Sequence, residues 1–74
     1  MNRRPVRSSN IRSLGFEAEE ESDVGTLEVE YHSGHIYTYA QVPEVLYSRA
    51  LGATSVGRFV SEEIDGVYAH TRLK

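Results

Sequence analysis

Arginines and aromatic rings interleave along this chain: Tyr37, Tyr39, Tyr47, Phe59 and Tyr68 alternate with Arg12, Arg49, Arg58 and Arg72. Rings beside guanidinium groups suit single-stranded nucleic acid, the rings taking base faces and the guanidiniums phosphates. The same tyrosines also suit a thin core, with the ring buried and the hydroxyl reaching water, and the two uses are compatible. With the N-terminal arginines added, the candidate nucleic-acid contacts are Arg3, Arg4, Arg7, Arg12, Arg49, Arg58 and Arg72.

Other chemistry-bearing residues have plainer readings. His32 and His35 flank a turn and His70 lies further on. A zinc site needs three or four ligands in tetrahedral geometry. Cysteine is absent, and one hairpin register sends the two imidazoles to opposite faces, so they read as polar turn residues. Ser8 and Ser9 have no base at fixed spacing and no nucleophile-elbow context. Glu28 and Glu30 are i, i+2 carboxylates that could share acid–base work, but on an exposed strand face they read as solubilising. Gly52 and Gly57 around Thr54-Ser55 faintly resemble an anion-binding helix start; no lysine follows at phosphate-loop spacing, and a glycine-punctuated helix junction explains them. No catalytic, metal or cofactor residue is assigned, and the chain reads as non-enzymatic.

The 74 residues make one domain, 1–74, and a chain this short buries only about 60% of its unfolded surface. Without cysteine there is no disulfide framework, which fits a cytosolic setting. No apolar stretch approaches the ~18 residues of a membrane span, and the N-terminal arginines precede no apolar run, as a secretory signal would require. The expectation is a soluble, cytoplasmic protein with no membrane partner. Net charge is −3, but residues 1–16 carry four arginines and no acid, while residues 17–32 carry seven acids and no base. Such asymmetry can make a basic face on an acidic protein; alternatively the two blocks attract one another or solvate the surface.

Residues 1–7 lack periodicity and read as a flexible basic arm. Ser9–Phe16 reads as a strand in which Ile11 is out of phase with Leu14 and Phe16, a conflict that a bulge or a later start would remove. Glu17–Gly25 reads as a solvated loop. Thr26–His32 alternates clearly, with Leu27, Val29 and Tyr31 on one side and Glu28, Glu30 and His32 on the other; His35–Gln41 follows the turn. A two-residue Ser33-Gly34 loop would set the tyrosines opposite Glu28 and Glu30. A three-residue loop with Gly34 left-handed would pair Val29 with Tyr37 and Leu27 with Tyr39, turning both rings to the core. The second is favoured, because serine tolerates the positive φ of the first poorly. Pro43 opens a helix running to about Leu51, with Gly52 as terminator. Thr54 or Ser55 caps a second, whose Val56, Phe59, Val60 and Ile64 form a core stripe ended by Gly66. Val67–Leu73 reads as an edge strand or packed tail. The fold class is α+β: a small antiparallel meander of three to four strands against two short C-terminal helices.

In order and spacing the chain resembles the KTSC domain, a module named for its place at the C-terminus of some lysyl-tRNA synthetases and also a stand-alone bacterial protein. The resemblance rests on Val6-Arg7-Ser8-Ser9-Asn10-Ile11, Ser13-Leu14-Gly15-Phe16, Leu27-Glu28-Val29-Glu30-Tyr31 with Gly34, the central Tyr37-Thr38-Tyr39, Val42-Pro43 leading to Tyr47, and Ser55-Val56-Gly57-Arg58-Phe59 with Ile64. These cover residues 6–68. Where the family tends to place an Asn after the aromatic of its Ser-x-Gly-x-aromatic segment, this chain has Val60 and Ser61, so no role of that Asn carries over. The resemblance implies no enzyme activity, and RNA binding only through attachment to a synthetase.

Two readings of function follow. One is an RNA-binding module using the arginines and tyrosines, with the net acidity counting against it. The other is a protein-interaction or accessory module that docks a partner through a strand edge, as a monomer or a weak homodimer.

Overall fold

The computed structural model describes residues 2–74. A five-stranded antiparallel meander, in the order β1-β2-β3-β4-β5, carries two helices between its last two strands. The strands are β1 (Arg3–Pro5), β2 (Ile11–Ala18), β3 (Val24–Tyr31), β4 (Ile36–Pro43) and β5 (His70–Arg72); the helices are α1 (Glu44–Leu51) and α2 (Val56–Glu63).

The hairpin turn takes the three-residue form. Gly34 sits at φ +97, its N–H donates to the Tyr31 carbonyl, and the register pairs Val29 with Tyr37 and Leu27 with Tyr39. That choice turns Tyr39 fully into the core beside Leu27 and Val29. In β2 the out-of-phase Ile11 is reconciled by an extra residue, Arg12: Ile11 faces Tyr31 while Ser13 already faces Glu30. The bulge lets Ile11 and Leu14, three apart, both reach the core. β4 has a matching irregularity, with Leu27 opposite Tyr39 but Gly25 opposite Val42, and Gln41 absorbs it at φ +59.

Both helices seal one face of the sheet. Ala50 of α1, Val56 and Val60 of α2, and Ile64 just after it join Ile11, Leu14, Leu27, Val29, Tyr39 and Val42 in one core. Phe16 and Tyr47 stack at 5.3 Å between ring centroids, tying β2 to α1. Pro43 caps α1 rather than occupying its first turn, and Ser55 caps α2 by accepting the Arg58 N–H on its hydroxyl.

Two strand expectations also change. Residues 3–5, read as part of an arm, form an exposed edge strand on β2; arginines on both faces leave it no alternation to detect. The meander has five strands because the tail supplies β5, pairing Tyr39 with His70 and Tyr37 with Arg72.

Candidate functional site

The seven arginines do not share one surface. β1 separates the first two. Arg3 lies opposite Gly15 and Arg4 opposite Leu14, and Leu14 points under the helices, so the period of two sends Arg4 to the helix side and Arg3 to the other. Arg3 Nη1 meets Glu28 Oε2 at 2.6 Å and Arg3 Nε lies 3.9 Å from Glu30 Oε1. Ser13 Oγ donates to the same Glu30 oxygen at 2.8 Å. Arg12, Arg3, Pro5, Ser13, Glu30 and Asn2 line a cleft of about 360 Å³ here. Glu28 was expected in solvent; it is 8% exposed, because Arg3 from β1 lies against it. The carboxylate pair therefore answers an arginine and holds β1 to the sheet.

On the helix side, Arg4 and Arg7 join Pro5, Val6, Leu51, Ala53, Thr54 and Val56 around a groove of about 540 Å³. Its end is fixed by a small polar knot. Ser8 Oγ accepts the Ile11 N–H at 3.3 Å and donates to Asn10 Oδ1 at 3.0 Å. Asn10 presses on the first turn of α2 at Gly57, where a Cβ would collide with its Oδ1. The Ser8-x-Asn10 and Ser55-x-Gly57 segments thus fit one another, and the glycine is there for close approach. His32 lies nearby, its Nε2 at 3.0 Å from the Ser8 carbonyl oxygen.

Arg49 is exposed in the last turn of α1, where a cation suits the helix dipole, and Arg58 donates from Nε to Glu62 at 3.2 Å along α2. Arg72 sits on the outermost strand at the other edge of the sheet, with Nε 3.3 Å from the Lys74 backbone oxygen and Nη2 3.0 Å from His35 Nδ1.

Arg72 stands beside an aromatic row. Tyr37 and His70 stack nearly parallel at 5.6 Å, Tyr31 meets Tyr37 edge-on at 5.8 Å, and Tyr39 tilts against His70 at 5.9 Å. The register explains the grouping: His70 faces Tyr39 and Arg72 faces Tyr37, and alternation puts all four on the helix side of the sheet. Tyr31 and Tyr37 are half-buried, whereas His70 and Arg72 are exposed. The buried Tyr39 hydroxyl donates to Asp65 Oδ1 at 3.3 Å. Burial first, then Tyr31 and Asp65, push its pKa far above the usual tyrosine range, so it is a fixed donor and anchors the row from below. Sequence reasoning weighs His70 only as a metal ligand and misses it as the stacking partner of Tyr37; the signal for that is the i, i+2 spacing with Tyr68 and Arg72 in the weakly alternating tail.

Among the described residues, no three His, Asp or Glu side chains converge as metal ligands, and no helix is long and apolar enough to cross a membrane.

Comparison with known proteins agrees with this architecture. The KTSC domain family model matches residues 7–68. An uncharacterized protein of Stutzerimonas stutzeri (strain A1501) is 39% identical over 62 residues, covering 84% of this chain and 82% of that one. The crystal structure of a KTSC domain protein from Yersinia pestis superposes with a TM-score of 0.87 at 32% identity, covering 99% of this chain and 97% of the other. The chain belongs to the KTSC domain family.

Proposed function

We propose that this domain is a non-enzymatic RNA-binding module that holds an unpaired strand at its β4–β5 end. The observation that supports the reading is the Tyr37–His70 stack with exposed Arg72 at its rim. Among the described residues Arg72 has no Asp or Glu side chain at ion-pair distance, its guanidinium resting on the Lys74 main-chain oxygen and His35. A ring face accepts any base, and a guanidinium with no Asp or Glu partner keeps donors for phosphate. The helix-free face supports it less: its central carboxylates Glu28 and Glu30 repel phosphate and no tyrosine rises there.

Fluorescence anisotropy with a labelled single-stranded RNA at low and moderate salt tests this. Binding should weaken with salt at a slope of about −0.7 per phosphate contacted. Arg72→Ala should flatten that slope by about one contact, and His70→Ala should weaken binding by the ~1–3 kcal/mol of one stacked base. No binding at low salt, or binding indifferent to both substitutions, overturns the reading.

A second reading, docking of a protein strand, is supported by the outer edge of β5, which pairs only with β4 and is fully exposed. Leu73 beside it is 58% exposed. Leu73→Glu should abolish such docking and leave RNA affinity unchanged within about twofold, whereas Arg72→Ala should weaken RNA binding by about one phosphate contact and leave docking unchanged.

A further inference from the structure

We propose that the groove between β1 and the α1–α2 junction is a second, independent site, binding a small organic phosphate: a phosphomonoester carried on an apolar body. Its lining has three properties that together select this chemistry. First, it contains two guanidiniums, Arg4 and Arg7, and no acid, on a chain whose net charge is −3. Among the described residues neither arginine has a carboxylate at ion-pair distance. Two uncompensated guanidiniums match a dianion better than a monoanion, and their forks match phosphate oxygens.

Second, apolar side chains stand among the polar groups of the lining. Val6 and Leu51 are half-buried and Val56 is 4% exposed, and they accompany Ala53 and Pro5. An inorganic ion would leave that surface uncovered, whereas the ring or chain of an ester would cover it. Thr54 adds one hydroxyl at the mouth. Third, the volume of about 540 Å³ falls in the usual range of about 300–1,000 Å³ for small-molecule sites.

The walls are held before any ligand arrives. Val6 N–H donates to the Arg12 carbonyl at 3.1 Å, fixing the chain as it leaves β1. The Ser8–Asn10 knot seats the first turn of α2. The site does not depend on the RNA reading, because Arg72 and His70 lie on β5, at the opposite edge of the sheet from β1.

Titration with phenyl phosphate, followed through backbone amide shifts in two-dimensional NMR, tests the proposal. Shifts should concentrate at Arg4, Val6 and Arg7 and at residues 51–56. Phenyl phosphate should bind about threefold to fivefold more tightly than inorganic phosphate, through the covered apolar surface, and also more tightly than benzoate, through the second negative charge. Arg4→Ala and Arg7→Ala should each weaken binding by about tenfold while the remaining spectrum keeps its folded pattern, and Arg72→Ala should leave it unchanged. Shifts scattered over the surface, equal affinity for inorganic phosphate, or an Arg4→Ala/Arg7→Ala double variant that binds as the parent does would each overturn it.

Discussion

Arg3 and Arg4 are neighbours in the chain and share an edge strand, yet they stand in opposite electrostatic surroundings. Arg3 turns to the helix-free face, where β3 presents Glu28 and Glu30 and the charge is answered at 2.6 Å. Arg4 turns to the helix side, where it shares its surroundings with Val6, Arg7, Leu51, Ala53 and Thr54 and no carboxylate among the described residues answers it. The same residue type therefore serves two ends. Arg3 ties a three-residue strand to the sheet, and Arg4 gives an acidic protein a small region of positive potential. The formal charge of the arm says nothing about which is which; the pleat decides.

The largest expected effect comes from displacing the wall that makes the Arg4 side a groove at all. Gly57→Ala places a methyl against Asn10 Oδ1, with Ser8 Oγ only 3.2 Å from the new atom. Overpacking of this kind costs roughly 1–3 kcal/mol, although alanine returns up to about 1 kcal/mol of helix propensity. Urea denaturation should show a net loss, and phenyl phosphate affinity in the groove should fall as α2 moves, while the Arg3–Glu28 cleft is untouched. Asn10→Ala in the same background should restore part of the stability. A Gly57→Ala protein at least as stable as the parent would mean that the knot and α2 do not press on one another.

Next in size is an attempt to erase the asymmetry from the other side. Glu28→Gln with Glu30→Gln leaves Arg3 without its counter-ions, in a cleft that Arg12 also lines. The cost should be about 1–2 kcal/mol, since Arg3 and Glu28 side chains are only 30% and 11% exposed and their bond is charge-assisted. In exchange the helix-free cleft should acquire phenyl phosphate binding that the parent lacks there, seen as new amide shifts at Ser13 and Gly15. No new shifts would show that uncompensated charge alone does not make a site, and that the apolar lining of the Arg4 groove is indispensable.

Much of this architecture was legible in the residues. The single glycine of the hairpin decided between two registers, and with them the burial of Tyr39. The misphased Ile11 announced a bulge or a later strand start, of which the fold takes the bulge, and the stripe Val56, Val60, Ile64 announced the second helix. The same reasoning could not see β1, because an edge strand with an arginine on each face has no hydrophobic period. It misjudged Glu28, because the arginine that covers it lies 25 positions away in sequence. The aromatic row was half visible: Tyr37 was singled out from the start, but its stacking partner His70 arrives through β5, a pairing that no local pattern encodes. The Gly57 contact with Asn10 was hidden for the same reason, since close approach between distant segments leaves only a glycine as its trace.

The smallest effect is also the most direct reading of the comparison. Arg3→Ala and Arg4→Ala delete the same side chain from adjacent positions, so unfolded-state and strand-propensity contributions nearly cancel between them. Arg3→Ala should lose about 1 kcal/mol in chemical denaturation, because it leaves Glu28 partly buried without its donor. Arg4→Ala should stay within about 0.5 kcal/mol of the parent, as surface changes without partners do. Binding of phenyl phosphate should rank the two variants in the opposite order, strongly reduced for Arg4→Ala and nearly unchanged for Arg3→Ala. If both properties fell together in either variant, the two faces would be coupled through β1 itself. The strand would then act as one element whose docking sets the groove, rather than as a divider between a structural arginine and a ligand-facing one.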